Sequence, residues 1–149
     1  MISETMDNSE NTGLEPPHPI VLELPSSSGY ILLARLVVSC VGRLAGFAPE
    51  DVYDLKLAVT EAVTNVIRHA AVETYEVEYR VLGRTVEVTV TDTGGGFRRA
   101  DLSEEPDEQG GFGLTVIENL VDELVLDSKG DGTRMKMVRR ASDPGGREG

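Results

Sequence analysis

The sequence predicts an α+β fold, a two-layer sandwich in which a mixed, mainly antiparallel sheet is covered on one face by three helices. Two observations carry this. Apolar residues recur at three- and four-residue steps between Pro49 and Ala70, then switch to strict alternation between Tyr75 and Thr91. Two strand pairs, each joined by a short glycine-containing turn, fold back on themselves as hairpins with one buried face, which leaves the helices to cover that face.

Taken in order, Ile20–Leu24 reads as a short strand, and Ser26–Ser28 offer capping hydroxyls for a first helix that runs to Ala45. Gly46 suits the left-handed residue that stops it. Pro49 suits the first turn of a second helix, with Glu50 and Asp51 against its positive end. Val52, Leu55, Val59, Ala62 or Val63, and Val66 give that helix its apolar stripe. Tyr75, Val77, Tyr79 and Val81 alternate with Glu76, Glu78 and Arg80; Gly83-Arg84 turns the chain; Val86, Val88 and Val90 alternate with Glu87, Thr89 and Thr91. A glycine-rich loop follows Asp92, a third helix runs from near Gly113 to about Asp122, and Glu123–Ser128 and Gly132–Arg139 pair around Lys129-Gly130-Asp131.

The 149 residues fit one domain, and a chain of that size buries roughly 70% of its unfolded surface. Residues 1–18 are polar, acidic and proline-rich and read as a disordered lead-in; 19–140 form the domain; 141–149 read as a disordered tail. A net charge of −12 argues against direct nucleic-acid binding and against an anionic membrane surface, since both need clustered Lys and Arg. No apolar stretch approaches the ~20 residues of a membrane span, and the N-terminus lacks a signal pattern. The lone Cys40, in an apolar run, excludes an internal disulfide and is expected as a small buried hydrophobe in a cytoplasmic protein.

Four short segments could carry chemistry. Glu61 and Asn65 stand four apart on the second helix, so they project from one side beside the apolar stripe. An Asn amide oxygen is a hard ligand suited to Mg²⁺, and a carboxylate one turn away can accept a proton from an attacking hydroxyl. Asp92, ending a buried strand ahead of Gly94 and Gly96, can hold an adenine amino group where a backbone without Cβ atoms lets a nucleotide come close. Gly110, Gly111, Phe112, Gly113 and Leu114 precede a helix, where free N–H groups and the helix dipole favour a polyanion. Thr133, after Gly132, can assist Asp92 at the base. Taken singly, each has a plainer reading: a solvated Glu and Asn, a turn, a loop-to-helix junction, a strand threonine. There is no G-x-x-x-x-G-K-[ST], no G-x-G-x-x-G and no HExxH.

Their succession is more specific than any one of them. A helix with a polar flank, then Asp-x-Gly-x-Gly after a strand, a glycine-rich helix start, and Gly-Thr before a strand resembles the ordered ATP-binding boxes of the GHKL superfamily, which includes gyrase and the histidine kinases. Within it, EAVTNVIRHA, VTDTGGGF and GGFGLTVIENLVDEL resemble the anti-sigma factor serine/threonine kinases of the sporulation and general-stress type. The resemblance covers residues 20–140 and implies the two-layer Bergerat fold. It also implies ATP bound with its base on Asp92 and its phosphates wrapped by Gly94, Gly96, Gly111 and Gly113. Asn65 then holds Mg²⁺, Glu61 acts as the catalytic base, and His69 supports the site. It further implies a sigma factor and a serine-bearing STAS-domain anti-anti-sigma protein as partners, an exposed Arg35 that contacts them, and a homodimer. The alternative is a non-catalytic, nucleotide-dependent module that sequesters a sigma factor or another regulator. The segment between the glycine boxes is short and acidic, and no lid Lys or Arg is assigned to the phosphates.

Overall fold

The computed structural model describes residues 18–92, 114–129 and 132–143. Strand β1 (Ile20–Pro25) is followed by a single 3₁₀ turn, helix α1 (Ile31–Leu44) and helix α2 (Pro49–His69). Strands β2 (Thr74–Leu82) and β3 (Thr85–Asp92) come next, then helix α3 (Leu114–Leu120) and strands β4 (Glu123–Lys129) and β5 (Gly132–Arg140). The five strands form one sheet in the order β1-β2-β3-β5-β4. Every pairing is antiparallel, so the expected mixture of directions reduces to one.

Alternation does what the sequence suggests. Tyr75, Val77, Tyr79, Val86, Val88, Val90, Met135 and Met137 are buried on the helix-facing side of the sheet. The β2–β3 hairpin turns at Gly83-Arg84, between paired Leu82 and Thr85, and Gly83 takes the positive φ of 65° that favours glycine. Helix α2 lies between α1 and α3 and reaches β3 and β5 beneath. Its stripe of Leu55, Ala58, Val59, Ala62, Val63 and Val66 is buried, so both Ala62 and Val63 belong to it, whereas Val52 is half-buried.

Two expectations for α1 need correction. The Ser26–Ser28 hydroxyls do not cap it: a 3₁₀ turn, Ser28–Tyr30, intervenes, Ser27 makes no side-chain capping bond, and the α-helix proper starts at Ile31 behind Tyr30. Cys40 is exposed rather than buried. The core side of α1 is the narrow line of Ala34, Val38, Val41 and Gly42, and Cys40 falls on the opposite flank with Leu32, Leu33, Leu36 and Leu44. Gly42 lets the two helices close up, since a Cβ there would lie 3.1 Å from Val52 Cγ2. The Tyr79 hydroxyl donates to the Ala34 carbonyl at 3.0 Å and ties α1 to the sheet. Burial, with a smaller contribution from Tyr75, pushes the Tyr79 phenol well above its ordinary pKa.

At the far end of α2, Asp51 is buried at 2% exposure and collects three donors. They are Arg139 Nη2, the Ser142 hydroxyl at 2.7 Å and the Ser142 backbone N–H at 2.9 Å. The same guanidinium reaches Asp54 Oδ2 at 3.2 Å and donates to the Leu120 carbonyl at 2.6 Å. Ala141 N–H also donates to the Arg84 carbonyl, so ordered contacts run to Ser142, two residues into the segment expected as tail. No helix among the described residues is long and apolar enough to cross a membrane.

Burial opposes ionisation of Asp51, but the Ser142 N–H, the Ser142 hydroxyl and Arg139 together hold its carboxyl below the ordinary value. Removing one partner of a buried pair leaves the other charge uncompensated, so Asp51→Ala is expected to lose about 3 kcal/mol in urea unfolding at neutral pH. A depressed folded-state pKa contributes stability that is complete above the unfolded value and fades as pH falls through the folded one. The gap between wild type and variant should therefore close below about pH 4.

Candidate functional site

The clamp at Asp51 sets where the other end of α2 lies. From Asp51 to Asn65 the helix climbs about 21 Å, and from Arg139 back to Thr133 strand β5 covers about 20 Å. Asp51 and Arg139 are in contact near the start of α2 and the end of β5, and Asn65 and Thr133 lie toward the other end of each element. Asp92, the last residue of β3, is the direct register partner of Thr133. Asp92 and Thr133, distant in sequence, thus meet where β3 ends and β5 begins, and Asn65 is buried in the helix layer.

Their environment is unusual for polar side chains. Asn65 is 2% exposed, Asp92 1% and Thr133 3%, so an amide, a carboxyl and a hydroxyl are all held out of water. The Asn65 amide nitrogen has no hydrogen-bond partner among the described residues. A buried donor left unmade costs about 1–3 kcal/mol, which is a reason to expect a ligand with acceptor oxygens beside it. Glu61, one turn earlier on α2, is half-buried, as the sequence reading requires of a residue bordering the core. His69 is half-buried in the last turn, where with Arg68 it complements the negative end of the helix.

Sequence reasoning missed Ser128. It is the register partner of Thr133 across the β4–β5 hairpin, and the two hydroxyl oxygens lie 3.1 Å apart. The signal was available in the hairpin count around Gly130-Asp131, which sets Ser128 opposite Thr133. Leu114 is buried at the start of α3 and packs into the core, so a ligand contact there falls to its backbone. Gly94, Gly96, Gly110, Gly111, Phe112 and Gly113 lie outside the described residues. Arg35 is half-buried rather than exposed, with a buried Nε that has no hydrogen-bond partner among the described residues. It sits where the core line of α1 meets its outward flank.

Residues 24–139 match the Histidine kinase-like ATPase domain, a span that runs from β1 to the end of β5 and includes every element of the site. The chain belongs to this family. It is 38% identical over 122 residues to the serine-protein kinase RsbW of Listeria monocytogenes, a match covering 72% of this chain and 78% of that one. It is 31% identical over 136 residues to RsbW of Staphylococcus epidermidis, covering 80% and 85%. Among solved structures it resembles the RsbU and RsbW domains of a Mycobacterium tuberculosis protein, with a TM-score of 0.67 at 21% identity over 87% of this chain and 34% of that one, a likeness of fold. The chain is a histidine kinase-like ATPase of the RsbW serine-kinase group, and ATP is its nucleotide.

The family resemblance gives the buried carboxyl of Asp92 to an adenine amino group, toward which an amide in its place could turn its own N–H. Asp92→Asn is therefore expected to weaken ATP binding at least tenfold, about 1.4 kcal/mol. Titration calorimetry on the variant checks this; unchanged affinity would place the base elsewhere.

Proposed function

We propose that this protein is an anti-sigma factor that phosphorylates a serine of a STAS-domain anti-anti-sigma protein at the expense of ATP, with Glu61 as the base. The observation that supports this most is the half-buried Glu61 one turn from the buried Asn65 on α2, together with a buried Asp92 that is the register partner of a buried Thr133. A module that only bound nucleotide would have no use for a carboxylate there. Bound Mg²⁺ would supply charge neutralisation across the phosphates.

Asn65 is the residue of this chain that fits the metal. Its amide is buried at the site with its nitrogen unmatched, and its carbonyl is the oxygen donor that Mg²⁺ prefers. Among the described residues no group of three His, Cys, Asp or Glu side chains could hold a metal ion, which agrees with a single amide ligand completed by phosphate and water. Asp92 and Thr133, with Ser128 behind, orient the base. Gly94, Gly96, Gly111 and Gly113 are assigned to the phosphate chain. Glu61 takes the proton of the acceptor serine as its oxygen approaches the γ-phosphate. Phosphoryl transfer needs little more than such positioning and charge stabilisation.

The outward flank of α1 supports a macromolecular partner. Leu32, Leu33, Leu36 and Leu44 are exposed along it, Leu44 at 73%, and a contiguous apolar strip of this kind marks an interaction surface. We assign Arg35 and this strip to holding the sigma factor and the anti-anti-sigma protein in turn, in a homodimer of cytoplasmic protein.

Incubation with labelled Mg-ATP and the STAS-domain partner tests this reading. Label is expected on a partner serine, and Glu61→Ala should reduce it at least a hundredfold while leaving ATP affinity in place. Tight partner binding with no label would instead favour the non-catalytic module. Asn65→Ala should remove the Mg²⁺ dependence of nucleotide binding, read by calorimetry with and without the metal; a variant that keeps it would show the metal held by another group.

A further inference from the structure

A groove of about 270 Å³ runs between the outer faces of α1 and α2, lined by Ser39 and Arg43, by Phe47 of the connection, and by Val52, Tyr53 and Lys56. Its floor is apolar: Phe47 is buried, Val52 is half-buried, and Gly42 behind them adds no side chain. Its rim is cationic. Arg43 is exposed and Lys56 half-buried, and neither side chain has an ion pair or hydrogen bond among the described residues. Arg80, Lys136, Arg139 and Arg140 are all paired with acids. Arg35 and Arg134 likewise meet no acid among the described residues; what sets Arg43 and Lys56 apart is that both line one groove with an apolar floor. Tyr53, 58% exposed, adds a rigid aromatic edge of the kind that contributes contact area at low entropic cost.

We infer that this groove docks an acidic peptide segment of a partner protein. One bulky apolar side chain of the segment rests on Phe47 and Val52, and flanking carboxylates meet Arg43 and Lys56. The volume lies just under the usual range for small-ligand pockets, roughly 300–1,000 Å³, and suits one or two side chains better than a whole metabolite. The charge complementarity selects an acidic occupant over a basic or neutral one. The groove lies away from the nucleotide end, since Lys56 and Asn65 stand about 13 Å apart along the axis of α2. Docking there requires no nucleotide.

The test is an NMR titration of ¹⁵N-labelled protein, free of nucleotide, with the blocked peptide acetyl-Glu-Asp-Leu-Phe-Glu-Asp-amide. A matched peptide carrying Lys at each acidic position serves as the comparison. Shifts confined to the Ser39, Arg43, Tyr53 and Lys56 amides are expected with the acidic peptide alone. Affinity should fall about tenfold in Arg43→Glu/Lys56→Glu, the effect of two exposed ion pairs turned to repulsion, and should weaken with added salt. Absent or scattered shifts, equal binding of the Lys peptide, or an unaffected double variant would overturn the inference. So would a double variant that sediments as a smaller species than wild type, which would give the groove to a second copy of the chain. ATP affinity, measured on the same samples, separates loss of the groove from loss of the fold or of the kinase site.

Discussion

One guanidinium holds the two layers in register. Arg139 leaves the last strand toward the helices, where it meets Asp51 and Asp54 of α2 and the final carbonyl of α3. A lysine could not do this, because a single ammonium lacks the planar fork that serves several acceptors at once. Burying these charges is tolerable only because each is matched, Asp51 by the Ser142 hydroxyl and N–H as well as by Arg139. The clamp and the candidate site lie at opposite ends of the same two elements, α2 and β5. Asn65 and Thr133 each lie about 20 Å along their own element from that contact.

That arrangement spreads the candidate site residues over both layers of a small domain. The residues come from a helix in the upper layer and from two neighbouring strands in the lower one. None is positioned by its immediate neighbours in sequence; each is placed by the layer it belongs to. The buried amide of Asn65 keeps a donor unmatched among the described residues.

Much of this was legible in the residues. Strand alternation and the α2 stripe are local consequences of burying one face, so β2, β3 and α2 came out within a residue or two of their observed limits. Glu61, Asn65, Asp92 and Thr133 were singled out through order along the chain, and the structure shows Asn65, Asp92 and Thr133 buried and Glu61 half-buried. What failed depended on choices that are not local. The seryl hydroxyls before α1 were a reasonable cap, yet the chain spends a 3₁₀ turn there and caps with none of them. Helix α1 is apolar almost all round, so periodicity could not say which flank faces the core, and Cys40 was put on the wrong one. The Asp51–Arg139 clamp spans 88 residues of sequence and leaves no short-range pattern at all.

The Tyr79 hydroxyl gives a main-chain carbonyl of α1 a side-chain donor in the middle of the core. A helix gripped only by aliphatic contacts can roll a few degrees about its axis at little cost, because dispersion contacts are weakly directional. A bond to one carbonyl removes that freedom. Leu33, Leu36 and Arg35 are consequently held at one azimuth before any other molecule arrives, and an encounter need not spend free energy ordering them.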